Sequence, residues 1–249
     1  MKQIHKYLFP ILICLLLAAC GGSKAKPETS AEKYFKQGER YFESNLYEDA
    51  ITSWEKVRDT FYSPELSMLA ELKIAEAYYV SERYEEAAIA FSDFLKQHSN
   101  DFRAPTILYR MGLSYYQQIL SPDRDQTSTR NALHSFQELT RRFPDDPQAQ
   151  EAGYLSQRCR TRLAENEVYV GRFYFKRKQY QPAIERLERL LESFPDYYYR
   201  DEAYFYLGDA YLKTEQPDKA NSIFSRLFVE FPGSDYVEDA QELLENERK

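Results

Sequence analysis

An alanine recurs along this chain with a bulky residue four positions later and an apolar residue seven later. The alanines are Ala50, Ala87, Ala132, Ala183 and Ala220. The bulky partners are Trp54, Phe91, Phe136, Leu187 and Phe224, and the apolar ones are Val57, Phe94, Leu139, Leu190 and Leu227. Twelve positions upstream of four of these alanines stands a small residue: Gly38, Ala75, Gly171 or Gly208. Nine upstream of the same four stands a tyrosine: Tyr41, Tyr78, Tyr174 or Tyr211. The third unit keeps Gly112 and Tyr115, eight residues further upstream. A unit this short cannot bury its apolar face alone, so the pattern demands that neighbouring units stack into an array.

The pattern resembles the tetratricopeptide signature, which implies a pair of antiparallel helices, A and B, in each repeat. The small residue lets helix A approach helix B. The alanine of helix B does the same from the other side, and the bulky residue four later is expected to fill the space between repeats. Phe143-Pro144, Phe194-Pro195 and Phe231-Pro232 stop the B helices, because proline disfavours helical backbone in the residue before it. The expected fold is all-α, a tetratricopeptide superhelix of five helix pairs plus a C-terminal capping helix. That last helix begins near Asp235, with Tyr236, Val237, Ala240, Leu243 and Leu244 as its apolar stripe.

Two departures from the period locate the insertions. Ala50 to Ala87 and Ala183 to Ala220 are both 37 residues, but Ala87 to Ala132 is 45 and Ala132 to Ala183 is 51. The first surplus falls near Gln118 to Thr127, in Ser-Pro-Asp-Arg-Asp-Gln-Thr, and reads as a loop. The second lies in a stretch free of proline after Pro147 and rich in Ala, Leu, Glu, Arg and Gln. It reads as about four extra turns on helix A of the fourth unit.

The N-terminus reads as an address. Lys2 and Lys6 precede an apolar run from Tyr7 to Leu17, which is broken by Pro10 and is too short to span a bilayer. Leu17-Ala18-Ala19-Cys20 follows and resembles the bacterial lipobox. That resemblance implies cleavage before Cys20, acylation of Cys20, and outer-membrane sorting with Gly21 behind it. An ordinary signal peptide with an accidental cysteine is the other reading. Acyl chains hold a protein on a membrane at roughly 0.8 kcal/mol per buried methylene. The organisation is then a signal peptide at 1–19, a lipidated cysteine and flexible tether at 20–30, repeats one to three at 31–144, and repeats four and five with the capping helix at 145–249.

Composition narrows the function. The chain carries 33 basic and 40 acidic residues, net -7, and loss of Lys2 and Lys6 makes it -9. That field argues against nucleic acid as a partner. Beyond the signal, His98 and His134 are the only histidines and Cys159 the only thiol after Cys20. No glycine-rich phosphate loop, nucleophile elbow or zinc-ligand spacing is present. The sequence reads as a non-enzyme with no cofactor and no metal. His134 reads as a packing or surface position and Cys159 as a small packed residue.

Binding is better supported. In a tetratricopeptide stack helix A lines the groove, and two positions on it, three before and four after the small residue, share a face. They hold Phe35 and Phe42, Leu72 and Tyr79, Tyr109 and Tyr116, Val168 and Phe175, Phe205 and Leu212, all ten apolar. Either neighbouring helices cover them, or they form a groove for extended, aromatic-ended peptides. We take Phe35, Phe42, Leu72, Tyr79, Tyr109 and Tyr116 as the candidate peptide-binding row.

Lipobox, tether and five repeats together resemble the BamD family, lipoproteins of the outer-membrane β-barrel assembly machine. Two local stretches carry the likeness further. One is Asp123-Arg124-Asp125-Gln126-Thr127. The other is Leu163-Ala164 with Glu167-Val168 and Phe173-Tyr174, then Tyr180, Ala183 and Arg186. The resemblance implies a non-enzymatic protein on the periplasmic face of the outer membrane. It implies that the C-terminal repeats bind the periplasmic domains of BamA and that the N-terminal repeats recognise unfolded outer-membrane β-barrel precursors, which commonly end in an aromatic residue. Arg172, Lys176 and Arg186 are the candidate partner-binding residues, with an intramolecular helix pair as the other reading of Arg186. A periplasmic tetratricopeptide lipoprotein of cell-wall synthesis or secretin assembly is the alternative family role.

Overall fold

The computed structural model describes residues 29–247. Cys20, the signal segment and all but the last two residues of the expected tether lie outside them. The described residues form eleven α-helices in five antiparallel pairs and a final single helix. The first three pairs are α1 (Ser30–Glu43) with α2 (Tyr47–Thr60), α3 (Pro64–Val80) with α4 (Tyr84–Gln97), and α5 (Ala104–Tyr116) with α6 (Thr127–Arg142). Then come α7 (Ala149–Lys176) with α8 (Tyr180–Ser193), α9 (Asp201–Lys213) with α10 (Pro217–Glu230), and α11 (Tyr236–Glu247). This is the expected tetratricopeptide architecture. Thr29 and Glu32 form a reciprocal capping box that starts α1 at Ser30.

The signature residues act within each pair. Trp54, Phe91, Phe136, Leu187 and Phe224 are all fully buried. A Cβ on Gly38 would sit 2.5 Å from Trp54, one on Gly112 2.5 Å from Phe136, and one on Gly171 2.6 Å from Leu187. Gly208 faces Phe224 in the same way. In these four repeats the bulky residue therefore fills the seam between helices A and B of its own repeat, rather than the expected space between repeats; Phe91 of repeat two also faces residues of α5. The spacing explains why: the missing Cβ on A makes the socket for the ring on B.

The recurrent tyrosine has a backbone role as well. After α1, α3, α7 and α9 the chain turns through Asn45, Glu82, Lys178 and Glu215, all at φ near +60°. The next amide donates back to the carbonyl of Tyr41, Tyr78, Tyr174 or Tyr211, at 2.8–3.0 Å. That is a Schellman turn, closed identically in four repeats without glycine. The third repeat lacks it because its loop is inserted there. Phe143, Phe194 and Phe231 cap α6, α8 and α10 ahead of their prolines, as expected.

Both insertions are where the spacing placed them. Residues 117–126 form a loop, and α7 is one helix of 28 residues, about 42 Å long. The loop is internally bonded. Gln126 is buried, donates from Nε2 to Ser121 O (2.9 Å) and Arg124 O (3.0 Å), and accepts from Thr129 Oγ1 (2.7 Å). Asn166 Nδ2, midway along α7, donates to Pro122 O at 2.6 Å. Along α7 the core changes hands. Ala152, Leu155 and Cys159 pack with repeats two and three, while Ala164 and Val168 pack with repeats four and five. The helix thus belongs to both groups of repeats expected at 31–144 and 145–249.

Candidate peptide groove and partner face

The six residues of the peptide-binding row share the A-helix face, but most of each ring is used internally. Phe35 and Phe42 flank Trp54, with centroids 6.4 and 5.8 Å away. Tyr109 and Tyr116 flank Phe136 in the same way, at 6.2 and 6.4 Å. Tyr109 is buried, and its phenol is pushed up to about 12 by that burial, with Glu151 beside it. Tyr79 meets Tyr84 edge-on at 5.6 Å and lies under the Arg110 guanidinium at 5.0 Å. Apart from Tyr109, the row is half-buried. It is therefore the outer wall of the core, not a line of open pockets, because residues three before and four after the small residue embrace the bulky residue of helix B.

An open, apolar cleft of about 300 Å³ lies between α3 and α5. Leu72 is the one member of the row that lines it. Its other apolar walls are Leu69, Phe91 and Ile107, with exposed Thr106 at the edge. The rim is charged but internally paired. Lys73 meets Glu39 at 3.5 Å, Arg110 meets Glu76 at 3.2 Å, and Arg103 makes a two-pronged contact with Asp101 at 2.8 Å. Sequence reasoning missed Leu69, Lys73, Thr106 and Arg110. A 3.6-residue reading of α3 could have joined Leu69 to Leu72, but the α5 side depends on how the two A helices lie together.

Among the candidate partner-binding residues, Arg172 pairs with Glu202 at 2.6 Å and Arg186 with Glu167 at 3.2 Å, with Arg189 3.9 Å from the same carboxylate. Arg186 is thus held in an intramolecular pair, which leaves its role toward a partner to experiment. Lys176 is exposed at the end of α7. His134 is exposed on α6, and His98 caps α4 with Nε2 3.1 Å from Glu71. Cys159 is fully buried, and burial pushes its thiol up to about 12.

A family model described as "YfiO: Outer membrane lipoprotein" matches residues 27–223. The chain belongs to the YfiO family of outer membrane lipoproteins. Relatives align over most of this chain. The protein of Rickettsia prowazekii is 26% identical over 98% of both chains, and that of Neisseria gonorrhoeae 27% identical over 95% of both. The Caulobacter vibrioides protein is 26% identical over 94% of this chain and 78% of its own. All three are named outer membrane protein assembly factor BamD. Among solved structures, YrrB, a TPR protein with an unusual peptide-binding site, is 18% identical and covers 86% of this chain and 92% of its own, with a TM-score of 0.38. The YfiO match takes in both insertions and both stretches that suggested the family, Asp123 to Thr127 and Leu163 to Arg186.

Proposed function

We propose that this YfiO-family chain is a non-enzymatic scaffold of outer-membrane β-barrel assembly, tethered through acylated Cys20 at the periplasmic face. Its C-terminal repeats bind the periplasmic domains of BamA, and its N-terminal repeats hold unfolded barrel precursors. The observation that carries the client half is the apolar cleft between α3 and α5. A barrel strand is extended and amphipathic, so it needs an apolar floor for alternate side chains and polar groups for its backbone. Leu69, Leu72 and Ile107 supply the floor, and the Glu76–Arg110 pair supplies the polar edge.

The test is binding of a synthetic barrel-strand peptide ending in phenylalanine. Thr106→Glu places a carboxylate at the cleft edge without touching the core. It should weaken binding by about 30-fold, the effect of one lost hot spot of about 2 kcal/mol. Val229→Glu, the same charge change on a residue 80% exposed in repeat five, should have little effect. Equal losses from both would place the client site elsewhere. For the BamA half, Arg186→Glu should weaken co-purification with BamA. The charge swap Arg186→Glu with Glu167→Arg restores the internal pair. If the swap also restores BamA binding, Arg186 acts only inside the fold.

A further inference from the structure

Charge pairs tie successive A helices together at one repeated position, the residue after the small one. In repeat one Glu39 meets Lys73 of the next A helix, in repeat two Glu76 meets Arg110, and in repeat four Arg172 meets Glu202. Repeat three has the uncharged Leu113 there. Repeat five has Asp209, and the helix that follows it, α11, offers no opposite charge. Asp239, Glu242 and Asn246 face it instead across a cleft of about 270 Å³ floored by Phe205 and Leu243.

Asp209 is an unusual residue to leave in this state. It is 9% exposed, and its Oδ1 is buried without a hydrogen bond. Among the described residues the nearest cation is Lys213, one turn along the same helix and half exposed, 3.9 Å from that Oδ1. Burial pushes the Asp209 pKa up from the usual carboxylate value, with Lys213 opposing weakly. A buried carboxylate held by one long contact to a half-exposed lysine of its own helix is costly, and in repeats one, two and four this position is paired across helices. Among the described residues no three His, Cys, Asp or Glu side chains converge to hold a metal ion.

We propose that the α9–α11 cleft is a docking site for a lysine or arginine side chain of a partner protein, which completes at the C-terminal end the inter-repeat charge pairing that α11 leaves open. The aliphatic stem lies over Phe205 and Leu243, and the cationic head reaches Asp209 between Asp239 and Glu242. Two acids on the rim add attraction and reject anionic side chains. This site is separate from the α3–α5 cleft and from the arginine face of repeat four.

The test uses the full-length chain in detergent micelles, with the Leu243 methyl groups observed by NMR. N-acetyl-lysine amide and N-acetyl-arginine amide should shift these signals saturably. N-acetyl-norleucine amide, which has the stem without the charge, should bind about tenfold more weakly or worse, as expected when a charge-assisted hydrogen bond is lost. Asp209→Asn should weaken the cationic probes by at least about tenfold while the remaining methyl spectrum is unchanged. The rim variant Asp239→Asn with Glu242→Gln alters only exposed groups and should weaken them severalfold. Equal affinity for the norleucine probe, or unchanged affinity in either variant, would overturn the proposal.

Discussion

Two glycine-to-alanine substitutions, Gly112→Ala and Gly153→Ala, should have opposite signs. Both glycines are helical and neither has positive φ. Helix propensity alone favours alanine at each by about 1 kcal/mol. At Gly153, on the exposed face of α7, an added Cβ meets nothing within 4 Å. That gain is unopposed and corresponds to about 2–4 °C in melting temperature for a chain of this size. At Gly112 the same atom would lie 2.5 Å from Phe136 Cε1 and 2.7 Å from Cδ1. Phe136 is fully buried and held between Tyr109 and Tyr116, so the ring has nowhere to retreat. Overpacking of this kind costs about 1–3 kcal/mol, and the direct clash with a fixed ring belongs at the upper end. The net expectation is destabilisation by about 1–2 kcal/mol.

Melting followed by circular dichroism gives the sign. Hydrogen exchange resolved along the chain gives the place, which matters because a repeat array need not unfold as one unit. Protection should fall in α5 and α6 first. Repeat two carries Ala75 opposite Phe91, so the signature accepts alanine where the helices are set for it. The claim concerns a backbone already closed around a glycine. A Gly112→Ala variant that melts at or above the parent temperature would refute the reasoning.

Cys159 should stay unlabelled by iodoacetamide at pH 8 in the folded chain and react only on unfolding, because burial both seals the thiol and keeps it protonated; mass spectrometry of the peptide containing it gives the readout. Asp101 is held at about 2 by the Arg103 side chain that bonds to it. Its folded value is thus below its unfolded value of 3.8, so its contribution is complete above that value and disappears as the pH falls towards 2. Acid titration of the melting temperature should show a loss in that window that Asp101→Asn abolishes, and an unchanged profile would remove the pair from the account.

The period carried most of the fold because the close approach of helices A and B leaves a direct chemical trace. A bulky residue on B requires a glycine or alanine on A, and the two stand sixteen positions apart in repeats one, two, four and five, from Gly38–Trp54 to Gly208–Phe224. The insertions were legible for the complementary reason, since a break in a fixed period has a measurable length. The groove was less legible. Positions three before and four after the small residue do share a face, but that face adjoins the seam, so Phe35, Phe42, Tyr109 and Tyr116 serve the ring of helix B first. The open cleft depends on how α3 and α5 of different repeats lie together, and no spacing within one repeat encodes that. Arg186 shows the same limit, since an arginine positioned for a partner and one positioned for Glu167 have the same sequence neighbours.

The two breaks in the period meet each other. The loop at 117–126 and the added turns of α7 are joined where Asn166 donates to Pro122 O. Each insertion alone would loosen a solenoid, because it interrupts the repeat-to-repeat contact that stabilises such arrays. Together they replace that contact with a continuous helix, whose first half is packed into repeats two and three and whose second half is packed into repeats four and five. A regular array transmits orientation through many soft interfaces. Here one helix about 42 Å long, pinned near its middle, passes from the core around the α3–α5 cleft to the core around the arginine face. A helix packed into both cores fixes the separation of the α3–α5 cleft from the arginine cluster of repeat four. The residues that break the repeat supply that fixed joint.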